Sequence, residues 1–257
     1  MYLDKILAKH REIAQADDRD LEALITESMS TPAPRGFAAR LRVNSANNLA
    51  VIAEIKRRSP SRGSLNSDLD PSSIALSYEQ GGASCLSVLT DAEFFGGSVS
   101  DLQQARTSVN LPVLRKDFTV SRHDICDTRI MGADCVLLIA AALSKSELSD
   151  FFRFSIELGL DALVEVHDET ELTLAIENGA TLIGVNQRDL HTFEVDHQRA
   201  VRMAAMMPAN VLRVAESGVK TRDDARSLRD AGYDAVLVGE SLVTSNEISN
   251  SVRQLLV

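Results

Sequence analysis

Eight short apolar segments recur along most of the chain, and their spacing constrains the fold more than any other feature. Each segment is too short for a helix and is typical of a buried strand. They are separated by roughly 20–30 residues, which is the length of a βα unit with its loops. The segments are 49–53, 85–89, 112–114, 134–139, 162–166, 182–185, 211–215 and 235–238.

The segments between these strands have helical patterns that often end in glycine, as at Gly82, Gly132, Gly179 and Gly232. Helix, C-terminal glycine and strand in succession are typical of αβ loops, and their recurrence indicates an internal repeat. Eight βα units favour a TIM barrel over a doubly wound sheet, and the first strand lacks the GxGxxG turn of a Rossmann fold. We therefore predict an α/β protein, a single TIM (β/α)8 barrel domain over residues 1–257.

Residues 1–48 have a different pattern. Leu3, Ile6 and Leu7 recur at helical spacing, and a second amphipathic segment and a short one at 37–42 follow. We predict an N-terminal helical extension that covers the active-site face. Two interpretations of it stay open, a packing extension and a lid on a binding site.

Composition narrows the class of protein. The three cysteines form no CxxC pair, which favours reduced thiols and a cytoplasmic location. No apolar segment is long enough to span a membrane, and a net charge of −10 argues against a nucleic-acid partner. An anionic ligand must therefore be held by local cations and backbone donors.

The carboxyl ends of barrel strands form the active-site face, and here they carry ionisable residues. Glu54 and Lys56 are two residues apart, so both point to one side of the first strand. Lysines and glutamates on one rim are candidates for general acids and bases. The other polar strand ends are Lys116, Glu165, Asn186 with Arg188, and Glu216. We expect partial burial to lower the pKa of Lys116, which follows the third strand.

Two further patterns bear on ligands. The segments 216–219 and 238–242 place small residues and free backbone N–H groups after strands 7 and 8, where many barrels bind phosphate. The histidines are scattered and predict no metal cluster, and only His167 follows a strand closely, where we interpret it as a loop residue. The histidines are His10, His123, His167, His191 and His197.

Several motifs, in order from about residue 50 to residue 243, resemble the indole-3-glycerol phosphate synthase family. They are 53–61, 86–91 with 94–98, 112–118, 163–168, 184–190 and 215–219. The N-terminal helices fit the extension of that family, and the end at Val257 is similar to its single-function form. Gln187, where asparagine is usual, and the segment 123–127 depart from the pattern, but neither touches a residue that the family uses for chemistry.

The resemblance implies an enzyme of tryptophan biosynthesis, a carboxy-lyase that closes the indole ring of 1-(2-carboxyphenylamino)-1-deoxyribulose 5-phosphate with loss of CO2 and water. It implies no metal or organic cofactor. Lys116 is similar to the general acid of the family, with Lys56 as the rival. Lys56 would otherwise face the anthranilate carboxylate, held by Glu54. Glu165 would stabilise a cation or act as base. The residues that orient the substrate would be Asn186 and Glu216.

The resemblance also implies a substrate-binding set. Ser217, Gly218, Gly239 and the amide of Glu240 would hold the phosphate, together with Ser59. Phe95 and Phe118 would wall the anthranilate ring, or they are ordinary rim packing, and Arg188 would complete the set. The expected partner is this phosphorylated small molecule, bound by a monomer or a weak homo-oligomer.

Two other functions remain open at this point. One is a different phosphate-binding barrel enzyme, such as a sugar-phosphate isomerase or the α-subunit type of tryptophan synthase, against which the lysine and glutamate motifs argue. The other is a barrel kept as a non-catalytic scaffold, which a missing lysine or glutamate at a strand end would favour. None is missing.

Overall fold

The computed structural model describes residues 2–59, 62–66, 68–189 and 192–257. Within them, eight parallel strands pair in chain order and close into a barrel, which confirms the predicted fold. The last strand pairs with the first, Ala235 with Ala50 through Val238 with Ala53. The strands are β1 (Ala50–Ile55), β2 (Cys85–Leu89), β3 (Val113–Lys116), β4 (Cys135–Ile139), β5 (Asp161–Val166), β6 (Leu182–Asn186), β7 (Leu212–Glu216) and β8 (Ala235–Val238).

Helices alternate with the strands, and three precede the barrel. Serine or threonine stands directly before several of them and accepts a hydrogen bond from the first turn, as Ser98 and Thr221 do. The helices are α1 (Tyr2–Ala16), α2 (Leu21–Ser30), α3 (Phe37–Ser45), α4 (Pro71–Gly81), α5 (Val99–Ser108), α6 (Arg122–Ile130), α7 (Lys145–Glu157), α8 (Glu169–Glu177), α9 (Arg199–Ala204), α10 (Arg222–Asp230), α11 (Glu240–Val243) and α12 (Ile248–Leu255). None of the described helices has the length and apolarity needed to cross a membrane.

The strands are almost entirely buried, and their apolar side chains form the core. The charged or amide side chains buried within them lie at carboxyl ends, as Glu54, Glu165, Asn186 and Glu216 do. Since parallel strands end at the same face, this face alone collects them. A short antiparallel pair, Arg58–Ser59 with Gly63–Ser64, follows β1 on the same side.

Helix α1 lies at the carboxyl ends of the strands. The ring of Tyr2 packs edge-on against Phe94 and Phe193, which follow β2 and β6. Arg11 forms an ion pair with Glu147, 2.8 Å away, at the start of α7. This helix therefore borders the face that the strand ends define.

Helix α3 lies at the other end of the barrel. Phe37 and Leu41 are fully buried, and the amide of Ala38 donates to Asp161, the first residue of β5, at 2.9 Å. The thiol of Cys85, the first residue of β2, contacts the carbonyl of Phe37 at 3.7 Å. Within residues 1–48, α3 thus closes the end opposite to the face that the sequence pattern assigns to the whole extension. An amphipathic pattern shows that a helix packs, but not against which end of a barrel.

Candidate active site

A cavity of about 1000 Å³ opens at the carboxyl ends of the strands. All six candidate catalytic residues and all eight candidate binding residues line it. Pro60, Ser61, Leu190 and His191, which belong to the motifs or to the histidine set, lie outside the described residues. The structure therefore brings together on one rim side chains from strands that are far apart in the sequence.

Lys116 and Glu165 form the centre of the site. The ammonium of Lys116, at the end of β3, lies 3.1 Å from Oε2 of Glu165 on β5. The other oxygen of Glu165 accepts a hydrogen bond from the amide of Asn186 on β6 at 3.0 Å. His167 Nε2 lies 3.2 Å from the same oxygen. The carboxylate of Glu165 thus accepts hydrogen bonds from a cation and an amide, and an imidazole lies within ion-pair distance.

The charges of this group fix its protonation. Burial alone would lower the pKa of Lys116, but the carboxyl groups of Glu165, Glu216 and Glu54 outweigh burial and raise it. The expectation of a lowered pKa is therefore wrong, because it considered burial without the neighbouring charges. Burial alone would raise the pKa of Glu165, but Lys116 and His167 lower it. Lys116 is therefore cationic and Glu165 ionised near neutral pH.

Glu216 has the opposite character. It is buried at the end of β7, and its Oε1 is an orphaned buried oxygen. Burial and the charge of Glu165 raise the pKa of its carboxyl group well above the usual range. The carboxyl takes the space beside Gly184, where a Cβ atom would lie 2.1 Å from Oε1. The site thus holds two buried carboxyl groups whose pKa values are shifted in opposite directions, an arrangement suited to acid–base chemistry.

Glu54 and Lys56 form a second pair on β1 and directly after it, with 2.6 Å between Nζ and Oε1. The hydroxyl of Ser87 on β2 lies 3.5 Å from the other oxygen of Glu54. The period-2 spacing in the sequence predicts this shared side correctly. Both side chains of the pair line the same cavity as Lys116.

The loops after β7 and β8 both line the cavity. Ser217 and Gly218 both have positive φ, 67° and 80°, so the chain turns sharply after Glu216. Gln187, the departure from the family pattern, supports this turn by donating to the carbonyl of Ser217 at 2.8 Å. Gly239 lines the same part of the cavity, before the short helix α11.

Aromatic rings line the wall near β2 and β3. The ring centroids of Phe95 and Phe118 are 6.2 Å apart with 37° between their planes. His10 of α1 lies behind Phe118, with 5.4 Å between ring centroids. Rings so placed can flank a planar aromatic ligand.

One group of potential metal ligands occurs among the described residues, formed by His10, Asp91 and Asp117, whose ligand atoms lie within 4.8 Å of one another. Asp117 is already paired with Arg115 at 3.2 Å, and Asp91 accepts backbone hydrogen bonds. These partners fit an ion-pair network.

The sequence was compared with models of known protein families. The family model of indole-3-glycerol phosphate synthase matches residues 3–255. The chain belongs to this family.

Curated relatives carry the same name. An indole-3-glycerol phosphate synthase of Chlorobium phaeovibrioides is 49% identical over 249 residues, covering 96% of each chain. One of Chloroherpeton thalassium is 47% identical over 251 residues, again covering 96% of each.

Solved structures show the same fold at low identity. A thiamine phosphate pyrophosphorylase from Pyrococcus furiosus is similar with a TM-score of 0.60 and 16% identity, over 82% of this chain and 94% of that one. A structure titled native KDPGal has a TM-score of 0.56 and 14% identity, over 80% and 92%. Identities this low show the barrel fold alone.

Sequence reasoning missed two residues of the site. His167 follows β5 in a loop as expected, but it also contacts Glu165 and lies 3.1 Å from Glu171. Its spacing of two residues from Glu165, the same as from Glu54 to Lys56, is the signal that could have found it. Arg62 pairs with Glu240 at 3.0 Å across the cavity mouth. No sequence pattern singles out Arg62.

Proposed function

We propose that this chain converts 1-(2-carboxyphenylamino)-1-deoxyribulose 5-phosphate into indole-3-glycerol phosphate, CO2 and water. Membership of the family supports this reaction. The observation that carries it is the buried pair of Lys116 and Glu165, 3.1 Å apart, beside Glu216, whose pKa is raised by burial and by the charge of Glu165. Ring closure needs a proton donor and an anion at one place, and this pair supplies both.

The cavity orients such a substrate along its length. The phosphate end fits the turn at Ser217 and Gly218 with Gly239 and the Glu240 amide, and Ser59 and Arg188 line the same cavity. The aromatic ring packs against the pair formed by Phe95 and Phe118. Lys56, on the wall beside Glu54, then faces the ring carboxylate. The ribulose ketone comes to lie at the centre, next to Lys116.

The first step forms the carbon–carbon bond. The ring carbon that bears the carboxylate attacks the ketone carbon, and Lys116 donates a proton to the ketone oxygen. The cationic state of Lys116 provides this proton. Positive charge that develops on the nitrogen side of the ring is stabilised by ionised Glu165, while Asn186 holds that carboxylate in place at 3.0 Å.

The later steps release CO2 and water. The bond from ring to carboxylate breaks, and its electron pair restores the aromatic ring. The new hydroxyl then leaves as water after gaining a second proton, and one hydrogen leaves the carbon next to nitrogen. Because the pKa of Glu216 is raised and that of Glu165 is lowered, Glu216 is suited to donate a proton to the leaving hydroxyl and Glu165 to accept the hydrogen as a proton. Overall, one proton is taken up as the carboxylate leaves as neutral CO2.

A direct assay tests the proposal. Mixing the protein with the carboxyphenylamino substrate should produce indole absorbance and fluorescence, and the chain contains no tryptophan to mask them. CO2 release from a carboxyl-labelled substrate should keep pace with the indole signal. Substrate consumption without indole, or no reaction at saturating substrate, would contradict the proposal. The unphosphorylated substrate is the control and should react with a much higher KM.

Location and assembly remain proposals as well. Cys85, Cys126 and Cys135 are buried free thiols, which is compatible with a reducing compartment such as the cytoplasm. We expect a monomer or a weak homo-oligomer. Light scattering of the purified protein at several concentrations measures this directly.

A further inference from the structure

His10 joins helix α1 to the loops after β2 and β3. Its Nε2 lies 3.1 Å from Oδ2 of Asp91 and 3.8 Å from Oδ1 of Asp117. The side chain is only 16% exposed, and its ring packs against Phe118. A single residue of the N-terminal extension therefore contacts two loops of the cavity wall.

Both aspartates hold the aromatic wall. Oδ1 of Asp91 accepts hydrogen bonds from the amides of Phe94 and Phe95, at 2.6 and 2.9 Å. Oδ1 of Asp117 accepts from the amide of Phe118 at 2.8 Å. Any shift of these carboxylates moves the two rings that are proposed to flank the substrate.

Three carboxylates face His10. Asp91 faces it from the loop after β2, Asp117 from the end of β3, and Asp124 from the start of α6. Arg115 is paired with Asp117 at 3.2 Å and balances one of these carboxylates.

The charged neighbours of His10 on its own helix are already paired. On α1, Lys9 pairs with Glu12 and Arg11 with Glu147. Of the groups described here, only His10 is placed to balance Asp91.

We propose that protonated His10 is a positioning residue that fastens α1 to the Phe95 and Phe118 wall, so that closure of the substrate cavity depends on pH. The inference rests on the proposed function only for the role of the two rings. The fastening itself is a property of the protein without substrate.

The sign of the pH dependence follows from the contacts. Burial alone would lower the pKa of His10, but the hydrogen bond to Asp91 and the charge of Asp117 raise it above its ordinary value. A raised pKa in the docked state means that the fastening is complete below about 6.5, the pKa of a free histidine. It is lost as pH rises through the higher pKa of the docked state.

Two variants separate charge from contact. His10→Gln keeps a polar side chain without charge, and His10→Lys keeps the charge to a pH of about 10. In the wild type, we expect the hydrogen-exchange protection of the α1 amides to fall about tenfold as pH rises. This protection is corrected for the intrinsic exchange rate at each pH. His10→Gln should have the low protection at every pH, and His10→Lys the high protection throughout. In steady-state kinetics, KM should be high where the protection of α1 is low and low where the protection is high. The value of kcat should change less than KM.

His123→Gln is the matched control. His123 also joins the N-terminal region to the barrel, through Nε2 and the carbonyl of Arg19 at 2.9 Å, but it touches neither aromatic ring. The His123→Gln variant should leave the pH dependence of the hydrogen-exchange protection of α1 unchanged. Loss of protection in His10→Lys equal to that in His10→Gln would overturn the proposal, as would a wild-type pH profile in His10→Gln. Exchange is measured without substrate, so a failure of the proposed reaction would show separately as an absence of indole.

Discussion

Lys116 forms an ion pair with Glu165, so a substitution of this residue should affect both catalysis and stability. Its ammonium pairs with the buried carboxylate of Glu165. Removal of one partner of a buried ion pair leaves the other charge without compensation, which costs more than the pair contributed. From the sequence alone, Lys116 would be interpreted as a burden on folding, since the carboxylate that faces it comes from residue 165.

Lys116→Met should lower kcat by at least about a hundredfold, because the general acid is lost. It should also lower the free energy of unfolding by about 1–3 kcal/mol, since buried Glu165 then keeps only Asn186 and His167 as partners. Steady-state kinetics and urea unfolding measure the two effects. The double variant with Glu165→Gln is the control and should regain stability without regaining activity. A single variant that turns over near the wild-type rate would show that another group is the acid.

His167 makes stability depend on pH. Burial alone would lower its pKa, but Glu165 and Glu171 raise the pKa to about 9. Its cation therefore stabilises the fold fully below about 6.5, and this contribution disappears as pH rises through about 9. His167→Gln should lose on the order of 3 kcal/mol at the lower pH and nearly nothing above the higher one. Urea unfolding across this range is the measurement, and a pH-independent difference would contradict the assignment.

At the scale of elements, the N-terminal helices divide their work between the two ends of the barrel. Helix α1 borders the cavity through Tyr2 and His10, while α3 seals the opposite end with Phe37 and Leu41. The helical periodicity of residues 1–48 predicts that these segments form helices. Their placement depends on contacts with Asp91 and Asp161, which lie far along the sequence.

Deletion of residues 1–16 should therefore spare the fold and damage the reaction. We expect kcat/KM to fall by about tenfold to a hundredfold, because the aromatic wall loses its support and water enters the cavity. Phe37→Ala should behave in the opposite way, losing about 3–5 kcal/mol of stability while the folded protein keeps its kcat/KM. Thermal unfolding and kinetics of both variants test this division. Wild-type kcat/KM in the truncated protein would make α1 a packing element only.

The turn after β7 can be tested with two substitutions of Gly218. Gly218 has a φ of 80°, which is unfavourable for residues with a side chain. A Cβ atom added there would lie 2.7 Å from Val195 and 2.9 Å from His197. Gly218→Ala and Gly218→Asp share this strain, which costs at least about 1 kcal/mol, and only aspartate adds a charge. Titration calorimetry with a reduced, non-reacting substrate analogue should show at least about tenfold weaker binding for aspartate than for alanine. Equal affinities would show that no phosphate is held at this turn.

At the scale of the whole molecule, the βα repeat predicts the barrel, and the barrel predicts the site. Apolar segments at regular spacing form buried parallel strands, and few arrangements other than a barrel cover such a sheet. The carboxyl ends of the strands then bring Glu54, Lys116, Glu165 and Glu216 to one rim. The charge state of this group could not be predicted in the same way. It depends on distances between side chains of different strands, such as the 3.1 Å from Lys116 to Glu165.

One measurement tests the central claim, that Lys116 is placed at the reacting ketone and Lys56 at the ring carboxylate. It is a crystal structure of the protein with the reduced analogue, whose hydroxyl replaces the ketone oxygen. We expect that hydroxyl within about 3 Å of the Lys116 ammonium, the phosphate at Gly218 and Gly239, and the ring against Phe95 and Phe118. A hydroxyl bound by Lys56, with Lys116 turned away to Glu165 alone, would contradict the account.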